Sequence, residues 1–168
     1  MKSGIAEAKG RPKRTYTTGP VTQLLRWLVI ASTLVLTIWV IVRYPSLPAK
    51  IPTHFNLMGE PDGWGPRSSI IWMVALFVAM IAGVEVLSHF PRAFNYVGTI
   101  TEHNAQEMYR TGEQMTVWLN VTLVLMYASL ILSVLQVASG MWLLMVSVAA
   151  MVVVIAVGIG KMIRAGRQ

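Results

Sequence analysis

The sequence predicts an all-α membrane protein: a bundle of four transmembrane helices, both termini cytoplasmic, with a structured extracytoplasmic loop between the first two. Three observations predict it. Hydrophobic residues make up 55% of the chain and charged residues only 12%, against about a quarter charged in soluble domains. The charges gather in connecting segments, which leaves four apolar runs near the roughly 20 residues that a bilayer core requires. The basic residues also fall unevenly about those runs, as the positive-inside rule expects. A net charge of +7 therefore reads as cytoplasmic Lys and Arg, and not as nucleic-acid binding, since no reading motif accompanies it. The chain has no cysteine, which excludes disulfides, Cys-ligated zinc, iron–sulfur clusters and thiol nucleophiles.

Residues 1–20 form a basic cytoplasmic tail, with Lys2, Lys9, Arg11, Lys13 and Arg14 against the single acid Glu7. Such a segment is expected to be flexible and free to touch anionic head groups. The apolar run behind it is too long for a signal-peptide core and lacks an A-x-A pattern, so residues 21–43 read as an uncleaved first span. Further spans follow at 69–89, 115–137 and 141–163, within a membrane domain of residues 21–163, and 164–168 close the chain as a short basic tail. With four spans both termini share a side. That side holds the tail cluster, Arg92, Arg110, Lys161, Arg164 and Arg167, whereas the other holds Arg43, Lys50 and Arg67. Trp27 and Trp118 fall near the inner interface and Trp39, Trp72 and Trp142 near the outer one, as interfacial aromatics do.

The outer loop, 44–68, is long for a connection, and loops of that length are more often functional or self-structured than idle. Ile51–Asn56 reads as an extended piece, with Phe55 and Leu57 turned to one face. Pro61-Asp62-Gly63 is a turn signal: proline fixes φ and glycine permits a positive one. His54 can bond Asn56 or turn backbone, or contact a ligand. Trp64, between two glycines, can be an interface anchor or a recognition surface. The candidate ligand- or partner-binding residues are His54, Asn56, Gly59, Asp62 and Trp64.

The inner loop and helix extension occupy 90–114. Pro91 ends the second span, and Thr99–Glu102 fits a capping box that starts a helix near Ile100. That helix is expected to run into the third span and project into the cytoplasm, where it offers a docking surface to a cytoplasmic protein. A tight turn at Ser139-Gly140 makes the last two spans a hairpin.

Glu85 is the most deeply placed ionisable residue, and an intramembrane acid is costly enough to suggest a pair or a site. Arg26 lies at similar depth from the same side, so an Arg26–Glu85 ion pair is one expectation and snorkelling of Arg26 another. His89 follows Glu85 by one helical turn, and His103 and Glu107 repeat the spacing, with Glu102 nearby. Folded together, Glu85, His89, His103 and Glu107 would make a ligand set for a divalent transition metal such as Zn²⁺, Mn²⁺ or Fe²⁺. A free carboxylate could then act as base on a metal-bound water. Asn120 can bond Glu85 or a carbonyl across helices, and the small pairs Ala156/Gly160 and Ser129/Ser133 suggest close packing within the bundle or in a homo-oligomer.

The stretch LPAKIPTHFNLMGEPDGWG, with Asn104 and Tyr109-Arg110 on the inner side, resembles a bacterial membrane module of unassigned function found at the front of the Sdp toxin-immunity proteins. The resemblance covers roughly residues 25–135. It implies a multi-pass protein of the bacterial cytoplasmic (inner) membrane that resists, senses or binds an extracytoplasmic peptide or envelope component, without known catalysis. Two alternatives stand beside it: a metal-dependent membrane hydrolase using the inner His/Glu set, and an accessory subunit of a transporter.

Overall fold

A computed structural model describes residues 10–167; Lys2, Glu7 and Lys9 of the tail, and Gln168, lie outside the described residues. The chain is mostly helical, and four of its helices are long and apolar enough to cross a membrane. They are α1 (Pro20–Arg43), α2 (Ser69–Ser88), α3 (Ala105–Val134) and α4 (Met141–Ala165). One element is not helical. Between α1 and α2, strands β1 (Lys50–Phe55) and β2 (Pro61–Pro66) form a two-stranded antiparallel sheet, so the expected all-α class is corrected by one hairpin.

The helix ends follow local chemistry. Pro20 opens α1 at a position where the missing N–H is no loss, and Ser46 Oγ donates to the Arg43 carbonyl as the chain leaves it. Pro91 stops α2. The start of α3 differs from expectation: the reciprocal box closes between Thr101 and Asn104, with Thr101 N–H on Asn104 Oδ1 at 2.9 Å and Asn104 N–H on Thr101 Oγ1 at 3.3 Å. The asparagine displaces the predicted Thr99–Glu102 box by two residues, and the helix begins at Ala105. At the other end α3 stops at Val134, three residues short of the predicted boundary, because Gln136 turns left-handed at φ 54°. Gly140 then passes so close to α3 that a Cβ would lie 2.0 Å from the Ser129 carbonyl oxygen.

The four helices do not share their burial equally. Helix α3 buries 44% of its most apolar stretch, against 22% for α1 and 11% each for α2 and α4. The arrangement is a fan: α1, α2 and α4 each pack chiefly on α3. One core cluster lies toward the hairpin and joins Val29, Val40, Ile51, Ile70, Tyr127 and Ile131. There Phe77 and Tyr127 stack with ring centroids 5.5 Å apart. A smaller cluster of Met108, Met162 and Ala165 closes the opposite end. Gly158 lets α4 approach Met115, whereas Ala156 is exposed and Gly160 has open space where a Cβ would be. The Ala156/Gly160 pair therefore faces away from the chain's own helices.

At about 1.5 Å per residue, the 30 residues of α3 run to about 45 Å, longer than a hydrocarbon core of about 30 Å. Its N-terminal turns are not a bare projection. Residues 10–19 lie along them as a strap, and Tyr96 from the α2–α3 connection covers Gly112. The expectation of a flexible tail is corrected for residues 10–19. Arg11 Nη1 donates to the carbonyls of Arg92 (2.8 Å) and Phe94 (2.7 Å), Arg92 Nη2 donates back to the Arg11 carbonyl (2.7 Å), and Tyr109 OH donates to Pro12 (3.1 Å). Gln106 takes the Thr15 N–H and gives its own amide to Lys13.

Candidate functional site

The hairpin is held by its glycines and by one asparagine. Ile51 pairs with Gly65, Pro52 with Trp64 and His54 with Gly63, with irregularities on either side of His54. A Cβ at Gly63 would lie 2.8 Å from the His54 Cβ, and one at Gly65 would lie 2.8 Å from Thr53 Cγ2. These glycines let the opposite strand close. The predicted Pro61-Asp62-Gly63 turn is therefore strand, and the reversal is at residues 56–60 instead. Asn56 Oδ1 accepts the N–H groups of Met58 (2.9 Å) and Glu60 (3.0 Å), its Nδ2 donates to Glu60 Oε2 (3.0 Å), and Gly59 takes φ 81°. The side chain adds to a turn that the backbone itself closes, with Asn56 N–H on the Glu60 carbonyl and Gly59 N–H on the Asn56 carbonyl, both at 2.9 Å.

Five candidate binding residues thus separate into two kinds. Asn56 and Gly59 build the turn. His54, Asp62 and Trp64 are presented by it. His54 Nδ1 meets Asp62 Oδ1 across the strands at 2.5 Å, and not Asn56 as one expectation had it. The imidazole is 72% exposed and the carboxylate 45%, so the pair is set outward. Trp64 is also exposed. Phe55 turns inward to the core while Leu57 stands exposed at the tip, so the two do not share a face. Beneath the hairpin, Thr53, His54, Phe55 and Gly59 roof a cavity of about 230 Å³ floored by Phe77, Met126, Leu130 and Met141. The platform as a whole is polar at one position, aromatic at another, and anchored below by Ile51 in the helical core.

A second constellation lies at the opposite end and is buried. Arg26, 4% exposed, places Nη1 2.6 Å from Glu85 Oε1 and Nη2 2.9 Å from Glu113 Oε1. Asn120 Nδ2 donates to Glu85 Oε2 (3.3 Å) and to the Ile81 carbonyl (3.2 Å). Glu113 also receives Arg14 at 3.1 Å and the hydroxyls of Tyr16 and Thr18, both at 2.7 Å. Two guanidinium groups and two carboxylates balance to zero, which is the condition for burying them at tolerable cost. Burial, followed by the hydrogen bond to Glu113, pushes the Tyr16 phenol above its ordinary range and keeps it a donor. Glu113 and the strap residues Tyr16 and Thr18 were not singled out from the sequence. The available signal was the polar stripe of α3, on which Glu113, Thr116 and Asn120 recur at helical spacing and are all buried.

The inner metal set is not assembled. Among the described residues, no group of three or more His, Cys, Asp or Glu converges on a point that could hold an ion. Glu85 is taken by Arg26, and the His89 ring lies 3.1 Å from the same guanidinium with Nδ1 2.9 Å from the Glu85 carbonyl. His103 precedes the Asn104 cap, so it loses the helical register with Glu107, and both are exposed.

Residues 30–78 match a domain of unknown function, DUF1648. The matched segment runs from within α1 through the whole hairpin into α2, and it covers less than a third of the chain. A protein of Archaeoglobus fulgidus described as uncharacterized is 41% identical over 54 residues, which is 32% of this chain and 29% of that protein. The alignment thus spans under a third of the relative's own length. No solved structure matches the chain.

Proposed function

We propose that this chain is a multi-pass protein of the bacterial cytoplasmic membrane that recognises an extracytoplasmic peptide or envelope component through its hairpin, in immunity or sensing. The observation that carries the reading is the outward His54–Asp62 pair beside exposed Trp64 on a platform packed into the helical core. A carboxylate that holds an imidazole by Nδ1 fixes the direction of Nε2, and an exposed aromatic on a paired strand offers apolar area at little cost in backbone ordering. Such a surface suits binding: the side chains are positioned before a partner arrives. The family match covers the hairpin, and the resemblance to the Sdp immunity proteins rests on the same stretch.

The distribution of basic residues supports this orientation, with the strap and Arg92 on the cytoplasmic side and the hairpin outside. The buried Arg26 cluster is then an inner clamp that ties the strap to α1, α2 and α3, and the hairpin is the part left to meet a partner.

The test is photo-crosslinking in intact cells from position 53, an exposed hairpin residue beside His54. A discrete adduct is expected, lost in His54→Ala and Trp64→Ala variants present at the same protein level. Adducts unchanged by either substitution would overturn the reading.

A further inference from the structure

We propose that the tip of the hairpin is a membrane anchor, with Leu57 and Met58 seated in the interfacial layer of the leaflet that α2 and α4 enter at their N-termini. The proposal is independent of what the His54 side of the hairpin recognises. Leu57 and Met58 are 83% and 82% exposed, among the most exposed large apolar side chains in the chain, although the same hairpin buries Ile51 to 1%. A pair of bare apolar side chains at a polar loop tip calls for an apolar neighbour.

The position of the tip identifies that neighbour. Gly59 sits against the turn that leads into α4: a Cβ there would be 2.9 Å from Ser139 Oγ and 3.0 Å from Met141 Cβ. Met141 is the first residue of α4. Next to it Trp142 is 80% exposed, and Trp72 near the start of α2 is 77% exposed, as tryptophans at a membrane–water boundary are. The tip therefore lies over the helix ends at the level of this aromatic belt, and it does not stand away into solvent. Asn56 holds the backbone of Met58 and Glu60, so Leu57 and Met58 are offered side by side with little backbone left to order on insertion. The occupant is the glycerol and upper acyl region of a bilayer, whose apolar surface is continuous with that already covering α2 and α4. The anchor uses no particular head group.

The chain contains no cysteine, so Leu57→Cys and Met58→Cys can each be labelled with an environment-sensitive fluorophore on the full protein in phosphatidylcholine–phosphatidylglycerol vesicles. Both sites are exposed, and having two guards against one variant failing to fold. Blue-shifted emission, quenching by lipids brominated near the glycerol backbone and weak quenching by aqueous iodide are expected at both. Strong iodide quenching without bromolipid quenching would overturn the anchor. A blue shift that grows with the protein-to-lipid ratio and ignores bromolipid would assign the tip to a second copy of the chain, and would overturn it equally.

Discussion

Arg26 can be buried in this protein only because two carboxylates meet it. A lone guanidinium taken out of water is costly, and the penalty falls due when one partner is removed. Glu113 is the sharper probe of the two acids, since its carboxylate also holds Arg14, Tyr16 and Thr18. Glu113→Ala is expected to cost about 3–5 kcal/mol, the range for breaking a buried ion pair, read as loss of resistance to denaturant in detergent micelles. A loss no larger than that of an exposed acid such as Glu107→Ala would contradict the clamp. The sequence offered Arg26 and Glu85 as partners because they lie at like distances from Pro20 and Pro91. It did not offer Glu113, which sits in what reads as a solvated helix extension beside Arg110. The docking of the strap, together with Arg26 from α1, makes that position an interior one, and nothing local to residues 10–19 announces where they bind.

Among the elements, the hairpin turned out least like its sequence signal, and the reason is competition between two turn-formers. Pro61-Asp62-Gly63 carries the stronger dipeptide signal, but Asn56 and Gly59 can close a five-residue loop through side-chain acceptance of two N–H groups. Gly63 is then needed for close approach to His54 and not for a positive φ. The same kind of contest moved the start of α3 from near Ile100 to Ala105, behind the reciprocal Thr101–Asn104 turn. Helix existence was legible throughout, because apolar runs of spanning length leave little alternative. Gly59→Ala tests the hairpin as a unit. A side chain at φ 81° costs roughly 1–2 kcal/mol, and contact with Ser139 and Met141 adds to it. Faster amide exchange at Met58 and Glu60, with the helices unchanged, is the expected result. Unchanged exchange would mean that the turn does not depend on this glycine.

At the scale of the whole molecule the chain is a fan around α3, closed at one end by the Arg26 clamp and the strap, and capped at the other by the hairpin. The two ends divide the labour: charge is buried and neutralised at one, and side chains are presented at the other. Composition and charge placement made the four spans legible, but α3 as the hub was not, since its polar stripe of Glu113, Thr116 and Asn120 lowers its apparent claim to the centre. The proposed recognition requires the hairpin to face outward and the strap to lie inside. The direct measurement is labelling of Thr53→Cys and Thr17→Cys, both exposed positions in a chain otherwise free of cysteine, with a membrane-impermeant maleimide. Labelling of position 53 in intact cells, with position 17 reacting only after permeabilisation, is the predicted result. The reverse pattern would put the hairpin in the cytoplasm and contradict the account.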